Sequence, residues 1–132
     1  MEIEYSCIKH PTAIQVIKLY NKAGLARPTN EKARIGKMLE NSNLIVTAWH
    51  DENLVGICRC ITDWAWCCYL SDLAVDPDLK KTGIGKELVR VTKDKLGEEC
   101  MLLLLSVPTA FEYYPKIGFQ KENRAFMSPR NK

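Results

Sequence analysis

Polar and apolar residues alternate over Glu2-Ile3-Glu4-Tyr5-Ser6-Cys7-Ile8, the period-two pattern of a half-buried strand. His10-Pro11-Thr12 breaks that pattern and supplies a helix cap. Ile14, Val16, Ile17 and Tyr20 then fall at helical spacing, with Gly24 as the stop. A second helix is expected to start near Thr29 or Asn30 and to carry Arg34, Ile35, Met38 and Leu39. Residues 43–49 are rich in β-branched side chains, residues 50–53 read as a turn, and residues 54–62 and 67–75 read as further strands. Short links between these three strands predict an antiparallel meander. Ile84, Leu88 and Val91 mark one face of a helix ending at Gly97. Residues 100–107 are apolar without alternation, the pattern of a central strand covered on both faces. Pro108 is expected to start a short helix running through Tyr113 and Tyr114 to Gly118, with a final strand pair from Phe119 onward and another strand at residues 125–127. The order βααβββαβαβ predicts an α/β (α+β) fold with one parallel strand pair inside an otherwise antiparallel sheet.

The bulk numbers narrow the class without naming it. A length of 132 residues fits one domain, 1–132. With 46% hydrophobic and 27% charged residues the chain is globular, and a net charge of +3 is too small to argue for nucleic acid. The N-terminus lacks the basic and apolar segments of a signal peptide, and the longest apolar run, Met101 to Leu105, is far too short to cross a bilayer. A cytoplasmic protein with no membrane partner is expected. Its six cysteines (Cys7, Cys58, Cys60, Cys67, Cys68 and Cys100) then read as reduced thiols and mostly small core residues. Cys58-x-Cys60 and Cys67-Cys68 lack zinc-ligand spacing and a nearby histidine, so no metal is expected.

The chemistry concentrates in Leu70-Ser-Asp-Leu-Ala-Val-Asp-Pro-Asp-Leu-Lys-Lys-Thr-Gly-Ile-Gly-Lys-Glu-Leu88. Gly83 and Gly85 follow a strand and open a helix, where exposed main-chain N–H groups bind anions. Lys80, Lys81 and Lys86 add positive charge at the same point. By itself this is equally a glycine-capped surface turn with solvated lysines. Neither a Walker A sequence nor the full dinucleotide fingerprint is present.

Lys80-Lys81-Thr82-Gly83-Ile84-Gly85 resembles the [Q/R]-x-x-G-x-[G/A] acetyl-CoA motif of the GNAT superfamily of N-acetyltransferases, with Lys80 in place of glutamine or arginine. Leu73-Ala74-Val75-Asp76-Pro77 and Tyr113-Tyr-Pro-Lys-Ile-Gly-Phe119 stand where that family carries L-x-V-x-P and F-Y-x-x-x-G-F. The resemblance covers residues 43–122 in motif and nearly the whole chain in element order. It implies a mixed, mostly antiparallel sheet of six or seven strands with a splayed parallel pair, flanked by about four helices.

The resemblance also implies a mechanism. Acetyl-CoA, as co-substrate, would lie between the strand ending at Val75 and the strand at 100–106. Its pantetheine arm would pair with Leu73, Ala74 and Val75, and its pyrophosphate would rest on residues 81–86. Lys80, Lys81 and Lys86 would face the outer phosphates, and the Val75 N–H would polarise the thioester carbonyl. An uncharged amine of a small molecule or peptide would attack directly in a ternary complex. Tyr114 would protonate the leaving thiolate, while Tyr113 replaces the motif's phenylalanine. The proton acceptor stays open: the position where some relatives carry glutamate is Tyr69. The nearest acid, Asp72, is either a base or a structural carboxylate, and simple alternation puts it on the opposite face from Tyr69, Leu73 and Val75. A water relay ending at main-chain carbonyls or Tyr69 is the third route. In this fold Asp63, Trp64 and Trp66 would border the acceptor entrance together with residues 24–31, a rim suited to cationic amines. Two other readings are carried: a non-catalytic acyl-CoA-binding module, and an interaction role for the Trp64–Cys68 surface. Homodimers are common in the family.

Overall fold

Thr12 begins the first helix with a reciprocal cap: its hydroxyl accepts from the Gln15 N–H, and the Gln15 side chain accepts from the Thr12 N–H. Gly24 ends it in the left-handed region at φ 72°. The computed structural model describes residues 2–132. In chain order it contains β1 (Glu4–Ser6), α1 (Ala13–Ala23), α2 (Lys32–Glu40), β2 (Leu44–His50), β3 (Asn53–Thr62) and β4 (Cys67–Val75). A 3-10 helix (Pro77–Thr82), α3 (Ile84–Leu96), β5 (Met101–Leu104), a second 3-10 helix (Pro108–Ala110) and α4 (Tyr113–Lys116) follow.

The described strands form one five-stranded sheet in the order β1-β2-β3-β4-β5, antiparallel except for β4 and β5. Both faces are covered, so β2 and β3 are buried almost throughout. Leu44, Val46, Ala48, Cys58, Cys60, Cys68 and Leu70 pack under α3, against Ile84, Leu88 and Val89. Ile45, Ile57 and Ala74 pack under α1 and α2, against Val16, Leu19, Tyr20 and Ile35. Each fully buried aliphatic side chain contributes about 1.5–3 kcal/mol, which makes these two layers the main source of stability. Gly56 lets α3 approach the sheet: a Cβ there would lie 2.9 Å from Ile84 Cγ2 and 3.0 Å from Leu88 Cδ1.

Three expectations change. Six or seven strands become five among the described residues, because the segment after Phe119 forms no strand. There the Glu122 carboxylate accepts from both the main-chain N–H and the guanidinium of Arg124, a local turn that competes with a sheet ladder. Residues 100–107 do not make a central strand. β5 is short, half-exposed and lies at the sheet edge, and an unbroken apolar run cannot distinguish edge from centre. The helix expected from Pro108 is split into a 3-10 turn and α4, so two 3-10 helices join the four α-helices. Pro115 falls in the first turn of α4, where the missing N–H would have had no intrahelical partner.

Candidate functional site

The site begins where two strands part. Parallel pairing of β4 with β5 runs from Cys67↔Met101 to Leu70↔Leu104 and stops, although β4 continues to Val75. Over that stretch β4 stays paired with β3 on its other side, from Arg59↔Asp72 to Gly56↔Val75. The main chain of residues 71–75 therefore presents strand-like donors and acceptors to an open gap. The parting coincides with a bulge, since Arg59 pairs with Asp72 and Cys60 with Leu70, leaving Ser71 as the extra residue. The bulge inverts the alternation. Leu70 packs toward α3, whereas Asp72 and Ala74 face α1 and Leu73 and Val75 return to the α3 side. Asp72 thus shares a face with Tyr69, contrary to simple alternation, and remains opposite Leu73 and Val75.

Beyond Val75 the Asp76 carboxylate caps the 3-10 helix by accepting from the Asp78 N–H, and Lys22 of α1 pairs with Asp76 at 2.9 Å and Asp78 at 3.1 Å. Gly83 then takes φ 83°, a conformation that favours glycine, and turns the chain into α3. The first intrahelical bond there is from Glu87 N–H to the Gly83 carbonyl, so the N–H groups of residues 84–86 point from the helix start without an intrahelical acceptor. Lys80, Lys81, Thr82 and Lys86 are exposed around this start, while Ile84 is buried and anchors it. Gly85 has a second use: a Cβ there would lie 2.5 Å from the Tyr113 hydroxyl and 3.6 Å from Val75 Cγ2. Tyr113, Gly85 and Val75 meet at the wall of the gap.

Asp72 is 1% exposed and fully engaged. Its Oδ2 accepts from the Tyr20 hydroxyl at 2.7 Å and Arg59 Nε at 2.6 Å, and its Oδ1 accepts from Arg27 Nε at 2.5 Å. Burial pushes its pKa up, but hydrogen bonding to Arg59 and the charges of both arginines outweigh that and hold it below the usual carboxylate range. Burial, followed by the Asp72 charge, drives the Tyr20 phenol upward, so it stays a neutral donor. Arg59 also donates to the hydroxyls of Ser42 and Ser71, and Arg27 to the Ser71 carbonyl. The cluster ties α1, the α1–α2 link and the bulge together.

Tyr113 and Tyr114 pack edge to face with ring centres 5.3 Å apart, and Tyr114 meets Phe119 in the same manner at 5.5 Å. Burial raises the pKa of both phenols, so both are protonated at neutral pH. Tyr114, Phe111, Phe119 and residues 102–106 line an apolar groove of about 440 Å³ beside β5. Tyr69 is 38% exposed on the opposite face of the sheet from Leu70. Cys58, Cys60 and Cys68 are buried beneath α3, Cys58 and Cys60 with sulfurs 3.8 Å apart, and no group of metal-ligating side chains occurs among the described residues.

The Asp63-Trp64-Ala65-Trp66 link lies elsewhere. It precedes the paired end of β4, and Met101 N–H donates to the Trp66 carbonyl, so the sheet is closed beside it. Ser71 lies five residue steps along the strand from Trp66, roughly 16 Å. The Asp63 carboxylate accepts from the N–H groups of Ala65, Trp66 and Cys67, and those bonds bring its pKa down to about 2. It closes the hairpin rather than lining the gap. The site roles of Tyr20 and Arg59 escaped the sequence reading, and Arg27 entered it only as part of residues 24–31. One signal was available, since an arginine inside Gly-Ile-Cys-Arg-Cys-Ile demands a buried acid.

Comparison with known proteins agrees with this geometry. The profile described as the acetyltransferase (GNAT) family matches residues 13–119. An uncharacterized N-acetyltransferase, ycf52-like, of Prochlorococcus marinus is 30% identical over 126 residues, covering 89% of this chain and 68% of that protein. A protein of unknown function from methicillin-resistant Staphylococcus aureus shares the fold with a TM-score of 0.84 at 20% identity, covering 98% of this chain and 99% of that one. The PaiA N-acetyltransferase of Thermoplasma acidophilum, solved in complex with coenzyme A, superposes with a TM-score of 0.71 at 18% identity and 92% coverage of both chains. With a profile match from α1 to Phe119 around a parted strand pair and a glycine-opened helix, the chain belongs to the GNAT acetyltransferase family.

Proposed function

We propose that this protein transfers the acetyl group of acetyl-CoA to a primary amine of a small molecule or protein, by direct attack within a ternary complex. The observation that carries the reading is the alignment of two empty valences: the unpaired β4 edge at residues 71–75 leads straight to the helix start at Gly83–Lys86. An extended amide-bearing arm fits the first, and a pyrophosphate fits the second. In this reading Leu73, Ala74 and Val75 pair with the pantetheine, and the main chain of residues 81–86 holds the pyrophosphate. Lys80, Lys81 and Lys86 neutralise its charge. The lysine at position 80 supplies charge without the planar fork of arginine.

At the reacting end, the Val75 N–H polarises the thioester carbonyl as it becomes an oxyanion. Tyr114, kept protonated by burial, gives its proton to the departing CoA thiolate. Asp72 has no free oxygen lone pair directed at the gap and acts by positioning the bulge rather than as the base. The amine loses its proton through water to main-chain carbonyls and the exposed Tyr69. Burst-free thiol release in the presence of acetyl-CoA and an amine panel tests the reading. Tyr114→Phe is expected to lower kcat about 100-fold with little change in the KM for acetyl-CoA. CoA binding with no turnover on any amine would favour a binding module instead, and no CoA binding by calorimetry would exclude both.

A further inference from the structure

The cluster around Asp72 carries two guanidinium groups and one carboxylate. Tyr20 contributes a neutral hydroxyl, and the neighbouring acids are committed elsewhere: Glu31 to Arg34, and Asp76 and Asp78 to Lys22. The two carboxylates on Lys22 leave one negative charge beyond Val75, and within the Asp72 cluster itself two guanidiniums against one carboxylate leave one positive charge. It does not reside on Arg59, which is 5% exposed and surrounded by Asp72 and the hydroxyls of Ser42 and Ser71. It resides on Arg27, whose side chain keeps 26% of its surface accessible. Arg27 donates through Nε to Asp72, through Nη1 to the Ala26 carbonyl and through Nη2 to the Ser71 carbonyl. A guanidinium has five N–H groups, so two remain on its outer nitrogens.

Its location gives that charge a use. Ser71 is the bulge residue immediately after the last β4–β5 pair, so Arg27 is held at the point where the gap opens. Its charge also reaches across to the Tyr114 phenol. We propose that Arg27 is an acceptor-binding residue, and that the preferred acceptor is an amine bearing an oxyanion, a carboxylate or a phosphate, rather than a polyamine or arylalkylamine. The inference names the acceptor class of the acetyl-transfer site and rests on that reading for the role of the amine. A planar fork with two free N–H groups suits an oxyanion geometrically, and offers an ammonium no acceptor. Asp63, the acid that would have favoured a cationic acceptor, is turned into its own hairpin.

Matched pairs test this: L-amino acids against their carboxamides, phosphoethanolamine against ethanolamine, and spermidine as a cationic acceptor. The pairs are compared by thiol release with the wild type, Arg27→Gln and Arg27→Lys. A second arm titrates N-acetylglycine and N-acetylglycinamide calorimetrically into the CoA-bound protein, which requires no turnover. The expected result is a preference of roughly 10-fold or more for the oxyanion member of at least one pair, lost in Arg27→Gln and partly kept in Arg27→Lys. The loss should appear in the KM for the acceptor, with CoA affinity unchanged as the check on folding. Whichever pair shows the preference tells carboxylate from phosphate. Equal use of both members of each pair, or a preference for spermidine, overturns the proposal. If no amine is acetylated, the acetyl-transfer reading falls and the binding arm decides alone: tighter N-acetylglycine supports the anion site, and equal or absent binding of both ligands rejects it.

Discussion

The two ends of the β4 gap handle positive charge in opposite ways. At the bulge, Arg59 and Arg27 are tied to Asp72, hydroxyls and main-chain carbonyls, and the cluster is largely buried. At the start of α3, Lys80, Lys81 and Lys86 are exposed around main-chain donors that have no intrahelical partner. Cations with internal partners hold the backbone in a shape. Cations without them, and the accessible part of the Arg27 guanidinium, are available to a ligand. A bulge inverts strand alternation at a local cost, and a buried ion cluster is a means of keeping it in one register. A helix start with solvated lysines needs no such support, because its conformation is set by Gly83 and by burial of Ile84.

If that contrast is right, the buried Asp72–Arg59 pair at the bulge end should fail through stability and the helix end through CoA binding. The largest effect is expected for Asp72→Asn, which leaves Arg59 buried without a counter-charge and should cost about 3–5 kcal/mol of unfolding free energy. Chemical denaturation measures it, and a loss below 1 kcal/mol would remove Asp72 from its structural role. The same carboxylate sets an acid limit. Its pKa is lowered by folding, so its contribution is complete above the unfolded value near 3.9 and disappears as the pH falls through the lower folded value. Thermal melts should therefore decline steeply below about pH 4 in the wild type, and less steeply in Asp72→Asn.

At the other end Gly83→Ala forces a side chain into positive φ. It should cost roughly 1 kcal/mol of stability and weaken CoA binding about 10-fold, with the binding loss the diagnostic reading. The smallest effects belong to Lys80→Ala, Lys81→Ala and Lys86→Ala. Each should leave stability within about 0.5 kcal/mol and reduce CoA affinity a few-fold, less so as salt is raised. Calorimetry at two ionic strengths separates that charge effect from a lost specific contact. If a lysine substitution melted the fold, or Asp72→Asn lowered CoA affinity without touching stability, the contrast would be reversed.

Much of the site was legible in the chain. The glycines proposed to cradle the pyrophosphate, Gly83 and Gly85, and the strand that leads to them are contiguous, so local spacing and the family motif located them together. The helix boundaries at Thr12, Gly24 and Gly97 were legible for the same reason, since caps are made by residues adjacent in sequence. The proton acceptor was not legible, because the role of Asp72 depends on partners 13, 45 and 52 residues away. Of the expected acceptor rim, the Asp63-Trp64-Ala65-Trp66 part lies at the paired end of β4, whereas the other part, residues 24–31, includes Arg27 at the bulge, because proximity in sequence to β4 does not say which end of β4 is open.

The sequence by itself determined the elements from β1 to β5, their order and the glycine turn that opens α3, since these follow from period, caps and glycine placement over short stretches. Only the tertiary structure decided where β4 and β5 part, that Ser71 bulges and inverts the faces, that Tyr113 fills the space over Gly85, and that Arg27 stays partly accessible beside the bulge. Each of those depends on which distant group arrives as neighbour, and a strand, a tyrosine or an arginine has the same local pattern whether its partner is a chain segment, a solvent molecule or a substrate.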